Sequence, residues 1–557
     1  MKHIIKGISI LLNTKEKARF YRLILFDLVI SVLDIAFLGT LLLVIGFYTS
    51  SKTINFSNFL FPISWFNKDS LLLISVFLVL FCLKNWLGYG ILQFQHHFFY
   101  NVASRLSKRN IIYYLKGDYL RFVNVDSSIH IRQISQQPIE FSHYILTNVQ
   151  QIISQAILIL FTISAILIYQ PILFLMLLLL LLPPILVLGY FIRKRSKQIR
   201  VNTKLTSEKT LQHLQESLSG YIESNIYHKS DFLTNRYYNY QQQLNNNIAS
   251  QQTLQGLPSR LVEVFAVLGF FILLLINKWS AHRPVIDLLT IGIFMAAAYK
   301  IIPGIIKILN STGQIKTYEF TLNDLLMVKE ERFPKNNTSP DFILPLCEIG
   351  FNNVSFRYKD HPILKNFSFN IRQADFAGIS AISGRGKTTM INLLLGFLQP
   401  DEGHVLINDQ IANVNTRKQY WKKIAYVKQQ NYLIHDTILK NITLSDDEYD
   451  RDRLNFAVNF CGLDSLLNKD TEGLYQMIRE SGKNLSGGQR QRIMLARALY
   501  HDFDLLILDE PFGEMDQQAE NIILLQLREL AQSGKIILFV THNTTSLTYC
   551  NKLITLA

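Results

Sequence analysis

The 557-residue sequence has few cysteines and none of the spacings that cysteine chemistry uses. Its four cysteines, Cys82, Cys347, Cys461 and Cys550, are scattered along the chain, so we predict reduced, structural thiols. A short apolar core followed by a small-residue cleavage site is also missing near the N-terminus, and no cleaved signal peptide is predicted. The cysteines therefore argue against a disulfide framework and against a cysteine-based metal or redox site.

Positive charge is plentiful, but it lacks the arrangement of a nucleic-acid-binding protein. The formal net charge is +14, and 49% of the residues are hydrophobic, which is unusual for a soluble protein with this many Lys and Arg. No compact basic module and no interleaving of aromatic with basic residues stands out, so we expect no nucleic-acid partner. Most of the excess charge in the first half lies beside apolar stretches, as membrane orientation predicts. The length predicts two or more domains.

The first half contains six apolar stretches, each long enough to cross a bilayer as a helix of about 20 residues. Two long polar connections, 94–140 and 193–258, are neither low-complexity nor rich in Gly and Ser. We therefore predict long helical extensions there rather than flexible linkers. The predicted spans lie near 23–47, 69–93, 141–168, 171–192, 259–277 and 285–309.

The distribution of basic residues predicts which side of the membrane each loop faces. The connection between the third and fourth spans is short and uncharged, and the fourth span ends in the basic run Arg193–Lys197. Because cytoplasmic loops are enriched in Lys and Arg, we assign the side that holds the N-terminus as cytoplasmic. Six spans return the chain to that side. Both termini are thus predicted to be cytoplasmic, in a multi-pass protein of the bacterial cytoplasmic (inner) membrane.

Four ionisable residues fall within or near the predicted spans: Asp34, Lys84, Glu263 and Lys300. Such groups are costly in a membrane unless they pair or face water, so they are candidates for a substrate path. The alternative is that tilted, overlong helices place some of them at the interface. We hypothesise that Lys84 and Lys300 face a central cavity and favour an anionic or phosphate-bearing cargo. The aromatic outer loop, 48–68, is interpreted as an interfacial anchor, with a lipid-tail contact as the alternative.

A charged, Pro- and Asn-rich stretch, 329–345, predicts a linker between two domains. Before it, residues 1–328 are predicted to form an all-α domain of six membrane-spanning helices with two long cytoplasmic extensions. After it, residues 346–557 begin with alternating apolar positions and continue with strands and helices in alternation, which predicts an α/β domain.

A phosphate-binding loop is predicted between a strand at Phe376–Ile382 and a helix at Thr389–Leu398. Glycines let backbone N–H groups wrap phosphate oxygens, while Lys387 would reach the β- and γ-phosphates and the Thr388 hydroxyl would hold Mg²⁺. Ala381 stands where the pattern has its first glycine, which puts affinity or rate in question but not nucleotide binding. The predicted nucleotide-binding residues of this loop are Ser383, Gly384, Arg385, Gly386, Lys387, Thr388 and Thr389.

An apolar strand, Leu505 to Glu510, ends in two acids. We predict that Asp509 holds the Mg²⁺ shell and that Glu510 orients or deprotonates the attacking water. Earlier in the chain, Ser486 followed by Gly487 and Gly488 would place a hydroxyl and bare backbone N–H groups at the start of a helix. Such a helix start attracts an anion.

The run Leu485-Ser486-Gly487-Gly488-Gln489 is the signature of ATP-binding-cassette (ABC) proteins, and the whole chain resembles an ABC exporter half-transporter of the type IV fold. The resemblance implies a six-helix transmembrane domain followed by a P-loop ATPase that uses ATP and Mg²⁺. It also implies coupling helices near 117–130 and 216–231. A chance Ser/Gly turn is the bland alternative for the signature alone.

The resemblance carries roles to further residues. Tyr358 matches the position that stacks on adenine, although alone it is simply a strand tyrosine, and Gln429 matches the Q-loop residue that touches Mg²⁺. His542 matches the switch histidine on the γ-phosphate, and Asp516 matches the D-loop aspartate. Gly513 and Glu514 replace the more usual small residues before Asp516, which puts cross-talk between sites in question.

The resemblance further implies a head-to-tail pair, in which the signature residues Ser486 to Gln489 of each copy cover the ATP held by the other. A homodimer is the simplest partner arrangement, and a heterodimer is the alternative. The segments Leu115–Phe122, Leu257–Glu263 and Ala298–Pro303 resemble those of bacterial lipid-linked oligosaccharide flippases, so an amphipathic or lipid-linked cargo is the first expectation. Export of a modified peptide or drug is the alternative, and a nucleotide-gated channel or regulator with weak hydrolysis is the alternative of another class.

Overall fold

The computed structural model describes residues 2–49, 71–117, 119–123, 125–169, 171–279, 288–330, 344–380, 385–467 and 472–556, with the backbone alone at some positions within these ranges, among them 171–182, 272–279 and 288–300. The chain forms two compact units. One comprises Met1–Gly117 and Phe122–Phe333, and the other comprises Asp118–Arg121 and Pro334–Ala557. The predicted aromatic outer loop lies almost wholly outside the described residues, as does most of the predicted linker.

The described residues of the first unit form helices joined by short turns. Its longest helices coincide with the predicted apolar spans, and three helical stretches, Thr14–Leu41, Leu72–Lys116 and Ser127–Ser164, are long and apolar enough to cross a membrane by length and composition. Two π-helical segments, Arg132–Gln136 and Phe141–Leu146, interrupt the start of the third. The α-helices up to Glu330, of which α4 belongs largely to the second unit, are α1 (Lys2–Leu11), α2 (Thr14–Thr49), α3 (Leu72–Lys116), α4 (Tyr119–Val123), α5 (Ser127–Ile131), α6 (Gln137–Glu140), α7 (Thr147–Tyr169), α8 (Pro171–Ser219), α9 (Tyr221–Ile226), α10 (Ser230–Trp279) and α11 (Leu288–Glu330).

The helices continue well past the apolar spans, in agreement with the predicted extensions. α8 runs 27 residues beyond the predicted end of its span at 192, and α11 ends at Glu330, two residues after the predicted domain boundary. Polar helix-forming sequence follows the second and fourth spans, so α3 and α8 end beside Gly117 and Gly220 rather than at the membrane boundary. Gly117, in an extended conformation, ends α3 before the short helix α4. α4 and α9 lie within the two intervals predicted for coupling helices.

The core of the first unit gathers apolar side chains from α1, α2, α3, α7, α11 and the second π-helical segment. α1 lies against α11 so closely that a Cβ added at Gly7 would approach Leu322 at 3.0 Å. The small side chain of Gly7 therefore permits this helix contact.

The second unit contains two sheets. An antiparallel sheet has the strand order β2-β1-β4-β5, and a parallel sheet has the order β6-β7-β8-β3-β9. Every residue of β7 and β8 is buried, as expected for central strands covered on both faces. The strands are β1 (Glu348–Tyr358), β2 (His361–Arg372), β3 (Phe376–Ser380), β4 (Glu402–Ile407), β5 (Gln410–Ile411), β6 (Ile424–Val427), β7 (Leu505–Asp509), β8 (Ile536–Thr541) and β9 (Lys552–Thr555).

The parallel sheet positions the candidate site. β3 and β7 flank β8, so the segments that follow these three strands meet at the carboxyl edge of the sheet, where α/β folds place their ligands. Two hydrophobic clusters cover the sheet, one on each face. The helices of this unit are α12 (Lys387–Leu395), α13 (Val414–Gln419), α14 (Ile438–Thr443), α15 (Arg451–Phe460), α16 (Asp464–Leu467), α17 (Gly487–Tyr500) and α18 (Gln517–Gln532).

Candidate functional site

The lysine loop ends at Gly386, which adopts the left-handed conformation (φ 90°) directly before α12. A Cβ at this position would lie 2.6 Å from Cγ2 of Ile363, so both the backbone angle and the available space require glycine. α12 begins at Lys387, two residues before the predicted start, and its buried side chains anchor it in the core. Arg385 and Thr388 are exposed and Thr389 is buried, while Ser383, Gly384 and Ala381 lie outside the described residues.

Three side chains converge on the Glu510 carboxylate. Lys387 Nζ lies 2.5 Å from Glu510 Oε1, and Gln429 Nε2 donates to Glu510 Oε2 at 2.9 Å. His542 Nδ1 lies 3.5 Å from Oε1. These residues follow β3, β6, β7 and β8, so the strand order of the parallel sheet brings them together.

The two acids at the end of β7 differ in electrostatics. Burial raises the pKa of Glu510, but the hydrogen bond and charge of Lys387, helped by His542, outweigh it, so the pKa lies below its ordinary value. Burial, followed by repulsion from Glu510, raises the pKa of Asp509 above its ordinary value. The Tyr426 hydroxyl donates to Asp509 Oδ2 at 3.5 Å. Glu510 is therefore ionised at neutral pH, as a residue that accepts a proton from water must be.

The residues predicted to hold Mg²⁺ supply a suitable set of donors. Thr388 offers a hydroxyl, Gln429 an amide oxygen and Asp509 a carboxylate, and hard oxygen ligands of this kind suit Mg²⁺. In the described part of the chain, no three His, Cys, Asp or Glu side chains gather into a metal-binding group. The donors of Thr388, Gln429 and Asp509 therefore suit a magnesium ion that is held by one carboxylate together with substrate phosphates, rather than by a cage of protein ligands.

The signature turn forms a second group of site residues. Ser486 Oγ accepts from the Gln489 N–H at 3.3 Å, and Gln489 Oε1 accepts from the Ser486 N–H at 2.8 Å, which is a complete capping box. α17 therefore begins at Gly487, directly after this cap. A cavity of about 370 Å³ lies here and is lined by Ser486, Gly487, Gly488, Gln489, Arg492, Glu514 and Asp516, among others.

Asp516 and Tyr358 occupy the ends of secondary structure elements. Asp516 caps α18 by accepting from the Ala519 N–H at 2.8 Å. Tyr358 is exposed at the end of β1 and lies edge-on to Phe356, with ring centroids 4.9 Å apart. Among the described residues, no hydrogen bond or ion pair joins the signature turn to Lys387 or Glu510. The structure thus assembles two separate groups within one chain.

The predicted substrate-path residues have different surroundings. Lys84 is 9% exposed, and its Nζ lies 2.5 Å from Asp34 Oδ1 and 4.8 Å from the centroid of the Phe81 ring. Asp34 therefore partners Lys84 within the helical unit, and the part of Lys84 in a substrate path stays a prediction. Glu263 is exposed and lies 3.9 Å from Arg260. Lys300 lies on α11, where the backbone alone is described.

The sequence did not reveal two charged residues that bind partners between the helices of the first unit. Asp27 lies within the first predicted span, and its two carboxylate oxygens accept from Gln95 at 2.5 Å and Gln150 at 2.6 Å. An acid within an apolar stretch was the available signal. Arg132 was missed as well, because an arginine in a polar connection gives no sign that it will be buried.

Comparisons with known proteins agree with this two-part organisation. Residues 364–513 match the family model described as ABC transporter, and residues 140–298 match the model described as ABC transporter transmembrane region. Together the two matches cover more than half of the chain.

The curated relatives are considerably longer than this chain. The leukotoxin translocation ATP-binding protein of Mannheimia haemolytica is 31% identical over 290 residues, which make up 50% of this chain and 40% of that protein. The protein of the same name from Bibersteinia trehalosi gives the same values. The chain therefore spans about two fifths of the length of the curated relatives that it matches.

One solved structure, of a bacterial Atm1-family ABC exporter with ATP bound, has the same fold. It superposes with a TM-score of 0.77 at 16% identity and covers 98% of this chain and 93% of that one. Because the family matches fall on both units and the apolar helices are those of a multi-pass membrane protein, the chain belongs to the ABC transporter family and has the domain order and fold of an exporter half-transporter.

Proposed function

We propose that this chain hydrolyses ATP to drive export or flipping of an amphipathic substrate across the bacterial cytoplasmic membrane. The observation that carries the proposal is the convergence of Lys387, Gln429 and His542 on the Glu510 carboxylate at the carboxyl edge of the parallel sheet. A cation, an amide and an imidazole around one carboxylate supply the groups that phosphoryl transfer to water needs.

Each residue has a defined task in this proposal. Lys387 binds phosphate oxygens, and the ionised Glu510 carboxylate orients water and takes its proton. Lys387 lies against Glu510, so phosphate binding exchanges one anionic partner of the lysine for another and frees the carboxylate. Thr388, Gln429 and Asp509 would hold Mg²⁺, which neutralises phosphate charge when it is bound.

Two copies are needed to complete the site. Within one chain, no hydrogen bond or ion pair of the described residues joins the signature turn at Ser486 to Lys387 or Glu510. In a head-to-tail pair, the signature turn of one copy would cover the nucleotide bound at Lys387 of the other copy. Each complete site would then contain both groups of residues. We propose a homodimer, with a heterodimer as the alternative, and place both termini in the cytoplasm.

The cargo is proposed to be lipid-linked, with oligosaccharide carriers as the first class. The support is the local sequence similarity of 115–122, 257–263 and 298–303 to flippases of that kind. A second candidate, export of a peptide, is favoured by a different observation. The curated relatives with 31% identity are named for translocation of a leukotoxin.

The enzyme proposal is tested by ATP hydrolysis of the full chain reconstituted in lipid nanodiscs, with Glu510→Gln as the matched variant. We expect hydrolysis by the parent and a decrease of about a hundredfold or more in Glu510→Gln, with ATP binding retained in both. Equal rates in the two proteins would contradict the enzyme proposal. Nucleotide-dependent ion conductance without hydrolysis would favour the channel alternative.

The cargo is tested in proteoliposomes. A lipid-linked oligosaccharide that stimulates hydrolysis and moves between leaflets only with ATP would support the first class. Stimulation by peptides, with none by the lipid-linked sugar, would assign the second.

A further inference from the structure

Glu514 lies directly against the signature turn, at a position where the resemblance to other family members predicts a small side chain. A Cβ built at Gly487 would lie 1.8 Å from Glu514 Oε2, so a carboxylate oxygen fills the space in front of this glycine. The backbone oxygen of Glu514 would lie 3.1 Å from a Cβ at Gly488. Both glycines of the turn thus face Glu514.

Neighbouring groups hold Glu514 in this place. Arg490 Nη2 lies 2.9 Å from Glu514 Oε2, and the Glu514 N–H donates to Gln491 Oε1 at 3.0 Å. Arg490 is itself tied down, because its Nη1 donates to the Leu485 carbonyl at 3.1 Å. The side chain of Glu514 remains 48% exposed. The carboxylate is therefore positioned but not buried, and it is able to move away.

The surroundings explain why an anion rests here. The first N–H groups of α17 carry partial positive charge, which favours negative charge at the start of the helix. The Glu514 carboxylate supplies that charge from within the chain. It lines the same cavity of about 370 Å³ as Ser486, Gly488 and Gln489.

We propose that Glu514 is an acidic gate on the signature turn, which must leave the front of Gly487 before a nucleotide phosphate from the second copy can bind there. This inference rests on the proposed function, since it assigns the regulation of the same ATP site. Phosphate and carboxylate repel each other and compete for the same positive end of the helix. Glu514 therefore weakens the closed, nucleotide-bound pair, and Arg490 limits the effect by neutralising part of its charge.

The test measures equilibrium binding of ATP with Mg²⁺ to the full chain in nanodiscs, in a Glu510→Gln background that retains nucleotide. Adding Glu514→Gln is expected to tighten ATP binding about fivefold, because one charge close to the phosphates is removed while the shape is kept. Adding Arg490→Gln instead is expected to weaken binding by about the same factor, since it leaves the Glu514 charge uncompensated. The variant with both changes is expected to bind like Glu514→Gln alone.

Glu529→Gln is the matched control, because Glu529 is an exposed acid on α18 outside this cavity. It is expected to leave ATP affinity unchanged. Hydrogen exchange without nucleotide gives an independent readout, with faster exchange expected at Gly487 and Gly488 in Glu514→Gln.

The outcomes separate the two proposals. A background protein that binds ATP, with affinity unchanged or weakened by Glu514→Gln, would overturn the gate alone. A background protein that binds no ATP would overturn the proposed function, and the gate with it.

Discussion

The two units use charged side chains in opposite ways. In the ATP-binding unit, Lys387, Gln429 and His542 share one carboxylate, at Glu510. In the helical unit, charges form separate groups that tie distant helices together. Arg132, 1% exposed, contacts Glu140 and Glu208, which lie on α6 and α8. The comparison teaches that a charged cluster which solvent can reach at the edge of a sheet indicates chemistry, because its bonds can be exchanged on binding, whereas a charge buried between helices indicates architecture.

The largest expected effect is that of Lys387→Ala. We expect hydrolysis to fall about a thousandfold, because the phosphate clamp is lost, while the protein remains folded. The measurement is hydrolysis together with thermal unfolding. Lys365→Ala, which removes an exposed lysine from the same unit, is the control and is expected to be neutral. If Lys387→Ala lost its folded structure along with its activity, Lys387 would be structural, and the contrast between the two units would fail.

The stability difference between the parent and Lys387→Ala should depend on pH, and the direction of the change can be derived. Lys387 lowers the pKa of Glu510, so their contact stabilises the fold above the ordinary carboxyl pKa, and this stabilisation is lost as the pH falls. The difference in unfolding temperature between the parent and Lys387→Ala should therefore shrink between about pH 7 and about pH 4. A difference that grows on acidification would contradict this assignment.

Arg132→Met tests the helical unit. It leaves Glu140 and Glu208 without the cation that both contact, and we expect a loss of about 3 kcal/mol in unfolding free energy. Replacing both acids by Gln in the same protein should restore most of it. Arg236→Ala, which removes an arginine 3.8 Å from Glu216 at the surface, serves as the control and should change little. Stability near that of the parent in Arg132→Met would show that the buried charges are not structural.

Asp27→Ala should have a smaller effect on the same unit. Gln95 and Gln150 are both buried, and they would lose their shared acceptor at a cost of about 1–2 kcal/mol. Glu263→Ala removes an acid that is exposed and only loosely paired, so unfolding should shift by less than about 0.5 kcal/mol. Unfolding in detergent measures both, and equal effects would remove the distinction between buried and surface partners.

The smallest expected effects are differences in the rates at which the cysteines react with a thiol reagent. In a Cys82→Ser background, a maleimide should modify the exposed Cys347 quickly. Burial raises the pKa of Cys550 to about 12 and raises that of the fully buried Cys461 still further, so both should react only after unfolding. Rapid labelling of Cys461 in the folded protein would mean that the core around α15 opens readily.

The local geometry of the described part of the candidate site was largely predictable, because backbone chemistry determines it. Gly386 is required by its positive φ and by Ile363, and Ser486 is required by its capping box, so the residue types themselves reveal the geometry. Apolar length likewise predicted the long helices. The signal for each feature lies within a few residues of the feature itself.

Partners across the fold could not be predicted. Lys84 and Asp34 lie 50 positions apart, and Arg132 and Glu208 lie 76 apart, so their contacts depend on helix rotation and tilt. Hydropathy does not determine either quantity. The sequence marks Glu514 as an unusual residue at its position. Its place in front of Gly487, however, depends on the packing of two segments that no local pattern specifies.

The grouping of Asp118–Arg121 with residues 334–557 has a practical consequence. The Tyr119 ring lies 5.1 Å from that of Phe397, which in turn lies 5.1 Å from Trp421, so a tyrosine from early in the chain completes an aromatic row in the ATPase. A truncated ATPase produced from residue 334 onward would carry Phe397 and Trp421 without this cap. In this fragment the aromatic surface that Tyr119 covers would be exposed to solvent. Its solubility and its kinetics would therefore differ from those of the full chain.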